Sequence, residues 1–478
     1  AGGILSSLFI PTYLKVREER GKDAAWRFAS HVFNISVLSL GVVAVVGTLL
    51  PEPFIWTQTF RSDAATASLV RQPAEFFFRF FAIQVVLYGG GMVVQGLLNA
   101  NRQFLWPALG PVFNNVVVIA TMLAVWRMPL DTSGLTVLAI GTTLGVATMF
   151  GVMVPSLLRL GVRYSPALGL KDPDVRHMLL LAGPTVVYVL TNMVAVSFRN
   201  ASALAAAPNG PAVLQFAWTF YQLPYGILAV ALATAVFTEL SQAAGRGDMT
   251  AFRANFAKGL RVTALLMIPA AGLLIALATP LASLFLVGRF DAADVPAVAS
   301  VLRVWAAGLV FFACMMFTLR AFYSLRDTRT PMLVNLGTSV VQVGGYVVLT
   351  TGVLAWPGFG IEGVPLADGV FYVLQFVLLV WILRSRTGGW DGMRAFLADG
   401  AKMLIISTLA AMAAWYAAGT VSTTGVHGAL LQVLAGGSAG LAMVAVGAWV
   451  ARLPELRFIA SRAAGMMPSA TTKKGPRT

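Results

Sequence analysis

Long apolar runs recur along the whole of this 478-residue sequence. Many of them reach about twenty residues, which is enough for an α-helix to cross the hydrocarbon core of a bilayer. Hydrophobic residues make up 58% of the chain and charged residues only 11%, whereas a typical soluble domain has about 25% charged residues. We therefore predict an all-α, polytopic membrane protein with about thirteen spanning segments.

The positive charge of the chain is concentrated in alternate loops. The formal net charge is +15, and lysines and arginines gather in segments such as 15–22, 159–176, 246–261 and 384–402. Basic residues of membrane proteins collect in the loops that stay in the cytoplasm. The charge therefore indicates topology in a phospholipid bilayer, and we expect no nucleic acid partner.

Two pairs of segments repeat at nearly one offset. The segment LNANRQFLWP resembles the later RAFYSLRDTRTP, and aligning them places Arg102 against Arg326, 224 residues further on. The segments GKDAAWR and GDMTAFR likewise align Gly21 with Gly247, 226 residues apart. Such self-similarity in membrane-type sequence predicts a duplicated helical bundle whose two copies insert in the same orientation.

The repeat divides the chain into two pseudo-symmetric helical lobes around a central cavity, with two helices added after them. The predicted regions are an N-terminal lobe (1–160), a cytoplasmic linker (161–176), a C-terminal lobe (177–386), two extra C-terminal helices (387–451) and a basic cytoplasmic tail (452–478). The end of the tail is small, polar and cationic, a composition typical of disorder.

The repeat also predicts that the chain begins inside a helix. Ala1 aligns with Ala229, midway along an apolar run, and the second copy has about 50 residues before that point that the first copy lacks. We expect a truncated N-terminal lobe that lacks its first helix and part of its second, from a full-length protein of about fourteen helices.

The sequence contains no recognisable catalytic constellation. His31, His177 and His427 are scattered near helix ends or loops, where surface or interfacial positions are expected. Neither a GxxxxGK[ST] phosphate loop nor an HExxH metal motif occurs, and the single Cys314 is predicted to be a packed core thiol. We therefore predict a protein that is not an enzyme and has no metal or cofactor.

Arginines inside apolar runs are costly and need a physical reason. Arg79, Arg199 and Arg303 all fall toward the outer ends of their predicted helices. Their side chains either extend to the outer interface or line a central cavity. Acidic residues at depth are fewer, with Asp368 and Glu239 as the main candidates. A cationic cavity would favour an anionic substrate, and arginine suits phosphate through its bidentate donor fork.

Buried amides form a second group of candidates. Asn114 and Asn115 lie in one apolar run and Gln222 lies in another. These side chains could hydrogen-bond a sugar or peptide headgroup, or they could tie helices together, which is the commoner use of amides in membranes. Both interpretations remain open at this point.

The motifs LLNANRQFLWPALGPVFNN and LRAFYSLRDTRTP strongly resemble those of the MurJ/MviN family of lipid II flippases, and QLPYGILAVALATAVFTELS is similar to that family's eighth helix. The similarity covers essentially the full chain, and the QLPYG form resembles that of actinobacterial members. It implies the fold of the multidrug/oligosaccharidyl-lipid/polysaccharide exporter superfamily, in which two six-helix lobes enclose a central cavity. It also implies that the two extra C-terminal helices form a groove for a lipid tail.

The resemblance implies a flippase of the bacterial cytoplasmic membrane. Its cargo would be the undecaprenyl-pyrophosphate-linked peptidoglycan precursor, moved by alternating access and coupled to the membrane potential or a cation gradient. Cell-wall synthesis proteins would be further partners. Three alternatives stay open: a polysaccharide-repeat flippase, a drug/cation antiporter of the same superfamily, and a non-transporting cell-wall scaffold.

Site residues follow from the resemblance only in part. The cavity candidates are Arg79, Arg199, Arg303, Asn114, Asn115 and Gln222. Candidates for the gate or cytoplasmic loop are Arg102, Arg320, Arg326, Asp327 and Arg329. Many members carry an Asp-Arg pair before the proline of the eighth helix, where this chain has Trp218 and Thr219. The cavity arginine of that helix is therefore missing, and we hypothesise that Arg199 supplies a compensating charge.

Overall fold

The computed structural model describes residues 2–129, 131–287, 290–353, 356–389 and 392–451. Side chains are described from residue 9 onward, except those of residues 181, 184, 185, 231, 235, 393 and 394. The predicted tail (452–478) lies outside the described residues, as does Ala1, whose alignment with Ala229 entered the repeat argument.

Within these ranges the chain forms sixteen α-helices. They are α1 (Gly2–Leu49), α2 (Pro51–Thr59), α3 (Ala64–Ala100), α4 (Leu105–Trp126), α5 (Thr132–Gly151), α6 (Val154–Arg159), α7 (Pro173–Ala206), α8 (Gly210–Pro224), α9 (Val230–Gly245), α10 (Met249–Ala276), α11 (Ala278–Ser283), α12 (Val295–Ser324), α13 (Arg329–Thr351), α14 (Gly363–Thr387), α15 (Met393–Gly419) and α16 (Gly425–Val450). A π-helix (Tyr225–Ala229) joins α8 to α9, and a 3₁₀ turn (Gly360–Glu362) precedes α14.

The membrane class predicted from the apolar runs is confirmed. Ten of the described helices are long and apolar enough to span a bilayer, or eleven if the bent pair α8 and α9 counts as one span. Two differences explain why eleven, the number with the bent pair included, is lower than thirteen. The first two predicted segments are merged in α1, which turns at Gly21, and the segment His177–Asn200 lies in α7, which is not among the ten.

The chain divides into two compact units, Ala1–Ala201 and Ser202–Thr478. In the first unit α1 packs on α3, α3 on α5, and α4 on α5. The second unit repeats this order, since α10 packs on α12, α12 on α14, and α13 on α14. The helices α15 and α16 pack on each other, and α15 also packs on α10. The predicted lobe boundary at residue 177 stays a prediction, because α7 crosses the division between the units.

The two repeated turns have the same backbone geometry. Arg102 and Arg326 have φ of 59° and 58° and are the two non-glycine residues with positive φ in the described ranges. Around Arg102, Gln103 N–H donates to Leu98 C=O (2.8 Å) and Arg102 N–H to Asn99 C=O (3.0 Å). In the second turn, Asp327 N–H donates to Phe322 C=O and Arg326 N–H donates to Tyr323 C=O, both at 3.0 Å. Both turns are Schellman motifs with arginine where glycine is usual.

The second aligned pair also shares its backbone conformation. Gly21 has φ 83° and divides α1, while Gly247 has φ 71° and separates α9 from α10. A positive φ is readily adopted by glycine because it has no Cβ. The part of α1 after Gly21 therefore corresponds to α10, and the part before it corresponds to α9.

The segment between α6 and α7, which forms neither helix nor strand, lies along α1. Asn34 donates to the carbonyls of Ser165 and Ala167, each at 2.8 Å, and the Tyr164 hydroxyl donates to Asn34 Oδ1 at 2.7 Å. The His31 ring lies 3.5 Å from the Asp172 carboxylate. This segment is thus anchored to the first unit by specific polar contacts.

The strained turn at Arg102 can be tested by substitution. A left-handed conformation costs a non-glycine residue roughly 1–2 kcal/mol, and a β-branched side chain fits it worst. We expect Arg102→Ile to lower the melting temperature in detergent, while Arg102→Gly leaves it unchanged or raises it. The matched control is Arg127→Ile, because Arg127 also ends a helix but has φ −96°. Equal losses for the two isoleucine variants would contradict the assignment.

Candidate functional site

Helix α8 is fixed to the second unit by aromatic packing. The Trp218 ring lies 5.4 Å from that of Trp305 on α12, and the Tyr221 ring lies 5.7 Å from Phe312. The Tyr225 ring continues the contact, with its centroid 4.8 Å from that of Phe312. Offset or edge-on aromatic pairs at such separations stabilise helix packing. One face of α8 is therefore held against α12, and Phe216 and Phe220 on another face pack against Phe285.

The exposed face of α8, beside its contact with α12, is polar. Gln215, Thr219 and Gln222 are all exposed, and their spacing of four and three residues places them on one side of the helix. Polar side chains on a membrane span face water or a polar ligand more readily than lipid. The three residues therefore begin an exposed polar stripe on the second unit.

The π-helix continues this stripe into α9. Residues eighteen apart lie in line on a regular α-helix, because eighteen residues make five turns. From Gln215 that position would be Ala233, which is buried. The π-helix adds one residue to the turn, and the next residue, Thr234, is exposed, as is Thr238 one turn later. The polar stripe, which we define as Gln215, Thr219, Gln222, Thr234 and Thr238, thus crosses the bend between α8 and α9.

Arg320 brings a positive charge to the polar stripe. It lies inside α12, one turn before the helix ends, and its Nη1 donates to Thr234 Oγ1 at 3.0 Å. The predicted assignment of Arg320 to a gate or cytoplasmic loop did not anticipate this contact. The spacing of the polar residues on α8 is visible in the sequence. A regular helical period, however, does not place Thr234 in line with them, because the π-helix adds one residue.

Asp368 occupies the interior of the second unit. It is 2% exposed and accepts hydrogen bonds from Trp305 Nε1 at 2.9 Å and Gln342 Nε2 at 2.8 Å, and from the Tyr346 hydroxyl. These donors come from α12 and α13, whereas Asp368 lies on α14. The predicted acid at depth is therefore a buried hub that joins three helices. Glu239, the other candidate acid, is exposed.

The three candidate cavity arginines lie in different environments. Arg79 is exposed on α3, and Arg303 is exposed on α12, where its Nη2 donates to Thr279 Oγ1 at 2.6 Å. Arg199 is half-buried on α7, and its Nε is buried without a hydrogen-bond partner in the protein. Arg79 and Arg199 belong to the first unit and Arg303 to the second. Their role in a cavity stays a prediction.

The amide candidates separate into packed and exposed side chains. Asn114 is half-buried, and its Oδ1 lies against Gly145 of α5, where an added Cβ would come within 2.7 Å of it. This close approach favours a packing role for Asn114. Asn115 and Gln222 are exposed, and Gln222 belongs to the polar stripe.

The candidate loop residues form a fixed turn at the end of α12. Asp327 accepts a hydrogen bond from Thr330 N–H at 3.0 Å and pairs with Arg386 of α14. Burial alone would raise the pKa of Asp327, but hydrogen bonds from Thr330 and the Arg386 guanidinium together lower it below its ordinary 3.8. Arg326 and Arg329 are exposed beside it, and Arg102 is exposed in the matching turn. These contacts join α12, α13 and α14 at one end.

The described residues hold no group of three or more His, Cys, Asp or Glu side chains that could bind a metal ion. Cys314 is buried in α12, as its apolar surroundings predict. His177 and His427 are exposed, and His31 contacts the segment that follows α6.

Comparisons with a family model and with individual proteins identify the same family. Residues 1–436 match the family model described as "Lipid II flippase MurJ". A lipid II flippase MurJ of Burkholderia cenocepacia is 28% identical over 394 residues, which cover 81% of this chain and 74% of that protein. A probable lipid II flippase MurJ of Thermotoga maritima is also 28% identical, over 79% of this chain and 73% of the relative.

Solved structures show the same fold. The structure "Lipid II flippase MurJ, inward closed conformation" matches with a TM-score of 0.75 and 21% identity, over 94% of this chain and 89% of that one. An inward-facing multidrug resistance MATE family transporter of the MOP superfamily matches with a TM-score of 0.68 and 17% identity, over 81% and 86% of the two chains. The fold predicted from the motifs is thereby confirmed.

The Asp368 hub should dominate the stability of the second unit. Asp368→Ala leaves buried donors on Trp305, Gln342 and Tyr346 without their acceptor, at about 1–3 kcal/mol for each unpaired group. We expect a large fall in melting temperature, measured by thermal unfolding in detergent. The control is Glu239→Ala, which removes an exposed carboxylate. A fall no larger than that of the control would show that the hub does not hold the three helices together.

The Asp327 turn should give stability that depends on pH. Because its pKa is lowered in the folded protein, Asp327 contributes stability above its ordinary pKa of 3.8, and this contribution is lost as the pH falls through the lowered value. Asp327→Asn should therefore reduce the melting temperature most at neutral pH and progressively less below about pH 4. Arg386→Gln should lose part of the same pH-dependent stability. A difference from wild type that stays constant down to pH 3 would contradict this account.

Proposed function

The chain belongs to the lipid II flippase MurJ family, and we propose that it carries the undecaprenyl-pyrophosphate-linked disaccharide-pentapeptide from the inner to the outer leaflet of the bacterial cytoplasmic membrane. It is a multi-pass membrane transporter and not an enzyme, since flipping neither makes nor breaks a covalent bond. The observation that carries the proposal is the family match over residues 1–436, which covers the first unit, most of the second and both repeated turns.

The chemistry of the polar stripe supports this cargo. Amide and hydroxyl side chains on α8 and α9 can exchange hydrogen bonds with sugar and peptide groups, which are themselves neutral donors and acceptors. Apolar residues such as Leu223 and Ile227 are exposed beside them on the same helical segment. A polar headgroup can follow the stripe while its polyprenyl tail stays in the hydrocarbon, so the headgroup need not be transferred into lipid.

We propose that transport proceeds by alternating access, with the energy taken from the membrane potential or a cation gradient. Two units of equivalent helix packing, built from one duplicated bundle, are the architecture on which such transport commonly rests. The strong positive charge of the cytoplasmic loops would keep the orientation of the protein fixed during the cycle. Proteins of cell-wall synthesis, which supply or consume the cargo, are the partners we expect.

A depletion experiment tests the function directly. Expression of this chain in a bacterium depleted of its own lipid II flippase should restore growth, and it should restore the exposure of lipid II on the outer leaflet, measured with an impermeant lipid II-binding probe. Empty vector is the negative control, and immunoblotting of membranes confirms insertion. If the chain is inserted but neither growth nor lipid II exposure recovers, the proposed function is wrong.

The compensating role of Arg199 is tested in the same assay. If Arg199 provides a cation in place of the missing α8 arginine, Arg199→Ala should reduce the rate of lipid II exposure, while Arg199→Lys should retain most of it. The matched control is Arg127→Ala, at the end of α4 outside the candidate site. Wild-type exposure in Arg199→Ala would rule the idea out.

A further inference from the structure

We infer that Arg320, held on the polar stripe by Thr234 and Tyr225, is the cation of the second unit that binds the pyrophosphate of the cargo. The inference rests on the proposed function, because it assigns a residue to the anionic part of that cargo. The sequence alone predicted that Arg320 belongs to a gate or cytoplasmic loop. The inference arises instead from the contacts that Arg320 makes with α9, which is distant from it in the sequence.

The π-helix widens the turn that Arg320 contacts. In the π-helix Val230 N–H donates to Tyr225 C=O, five residues earlier, instead of closing a regular α-turn. The Thr234 hydroxyl donates to Val230 C=O at 2.8 Å and accepts from Arg320 Nη1 at 3.0 Å. Arg320 Nη1 also lies 3.5 Å from Val230 C=O. The widened turn is thus the point at which the α12 arginine meets the stripe.

Tyr225 completes the support for the guanidinium. Its hydroxyl lies near the Arg320 guanidinium, and its ring is packed on Phe312 of α12, two turns before Arg320. The aromatic packing that fixes α8 therefore also fixes the phenol beside the arginine. A guanidinium held on one side by neutral groups keeps its orientation without losing its charge.

The bonding of Arg320 leaves donors available for an anion. The contacts with Thr234 and Val230 both engage Nη1, and a guanidinium carries five N–H donors in all. In the described part of the chain, no carboxylate forms an ion pair with Arg320. Arg386, by comparison, is paired with Asp327, and Arg261 with Asp399. A cation that has neutral partners and spare donors is suited to bidentate binding of phosphate oxygens.

The position of Arg320 on the stripe also explains how the chain manages without an arginine on α8. Thr219 and Gln222 offer only neutral groups on this face, and Thr234 lies in line with them across the π-helix. Arg320 reaches the same face from α12. The stripe therefore carries a positive charge, although the residue that supplies it belongs to α12.

Binding measurements with the full chain in lipid nanodiscs test this inference. The probes are lipid II, undecaprenyl diphosphate and undecaprenol, which share the polyprenyl chain and differ in headgroup. We expect Arg320→Gln to weaken binding of the two pyrophosphate lipids by about tenfold or more, the size expected for one lost charge-assisted contact. Binding of undecaprenol should not change. Arg320→Lys should fall between wild type and Arg320→Gln, because lysine keeps the charge but not the donor fork.

Two control variants separate binding from structure. Arg246→Gln removes an exposed arginine at the end of α9 and should bind all three probes as wild type does. Thr234→Val removes the hydroxyl that orients Arg320 but leaves the charge, so it should weaken pyrophosphate binding less than Arg320→Gln. Raising the salt concentration should weaken binding of undecaprenyl diphosphate more in the wild type than in Arg320→Gln. Salt screens the contact between Arg320 and the phosphates, and the variant lacks that contact.

Each outcome decides the inference. It is overturned if folded Arg320→Gln binds undecaprenyl diphosphate as tightly as wild type, or if it loses undecaprenol to the same extent. If Arg320→Gln does not fold, equal binding of both pyrophosphate lipids by Arg320→Lys and wild type overturns it instead. The proposed function fails separately, if the wild-type chain shows no preference for lipid II over undecaprenol.

Discussion

A polar group inside a bilayer must be satisfied by the protein or by water, and this constraint determines where the polar side chains of the second unit lie. Asp368 is deeply buried and receives its hydrogen bonds from α12 and α13, so it strengthens the unit from within. Gln215, Thr219 and Thr234 have no such enclosure and lie together on one exposed face. The same physical requirement thus produces a buried structural hub and an exposed polar stripe in one helical bundle.

The duplication supplies the framework that carries both features. Arg102 and Arg326 close equivalent helices with the same left-handed turn, and Gly21 and Gly247 provide equivalent breaks. Each unit then repeats the same order of helix packing. In the second unit, helix α9 is reached through a π-helix. This local irregularity shifts the exposed face by one residue and brings Thr234 to Arg320.

The fold could be predicted from the sequence because its signals are local and regular. Apolar runs of spanning length reveal the helices, and paired motifs at offsets of 224 and 226 residues reveal the repeat. The backbone conformations of Arg102 and Arg326 bear out that alignment in detail. The number of spans was less predictable, since the kink at Gly21 occurs within what the structure shows as one helix.

The candidate site could be predicted only in part, because its contacts join distant positions. Gln222 was identified, but Thr234 was missed, since a regular helical period places Ala233 on the exposed face instead. The partners of Asp368 lie on two other helices, and no spacing in the sequence connects them. Arg320 belongs to a motif that identifies the family, so its position suggested a loop, whereas its side chain reaches α9.

The most direct test of the account is a cysteine accessibility scan along α8 and α9 in the full chain, with the buried Cys314 replaced by alanine. A charged, membrane-impermeant thiol reagent should label cysteines at Thr219, Gln222, Thr234 and Thr238. It should not label cysteines at Ala217 or Ala233, which are buried. Labelling at Ala233 with protection at Thr234 would show an uninterrupted helical register, and it would contradict the polar stripe on which the account depends.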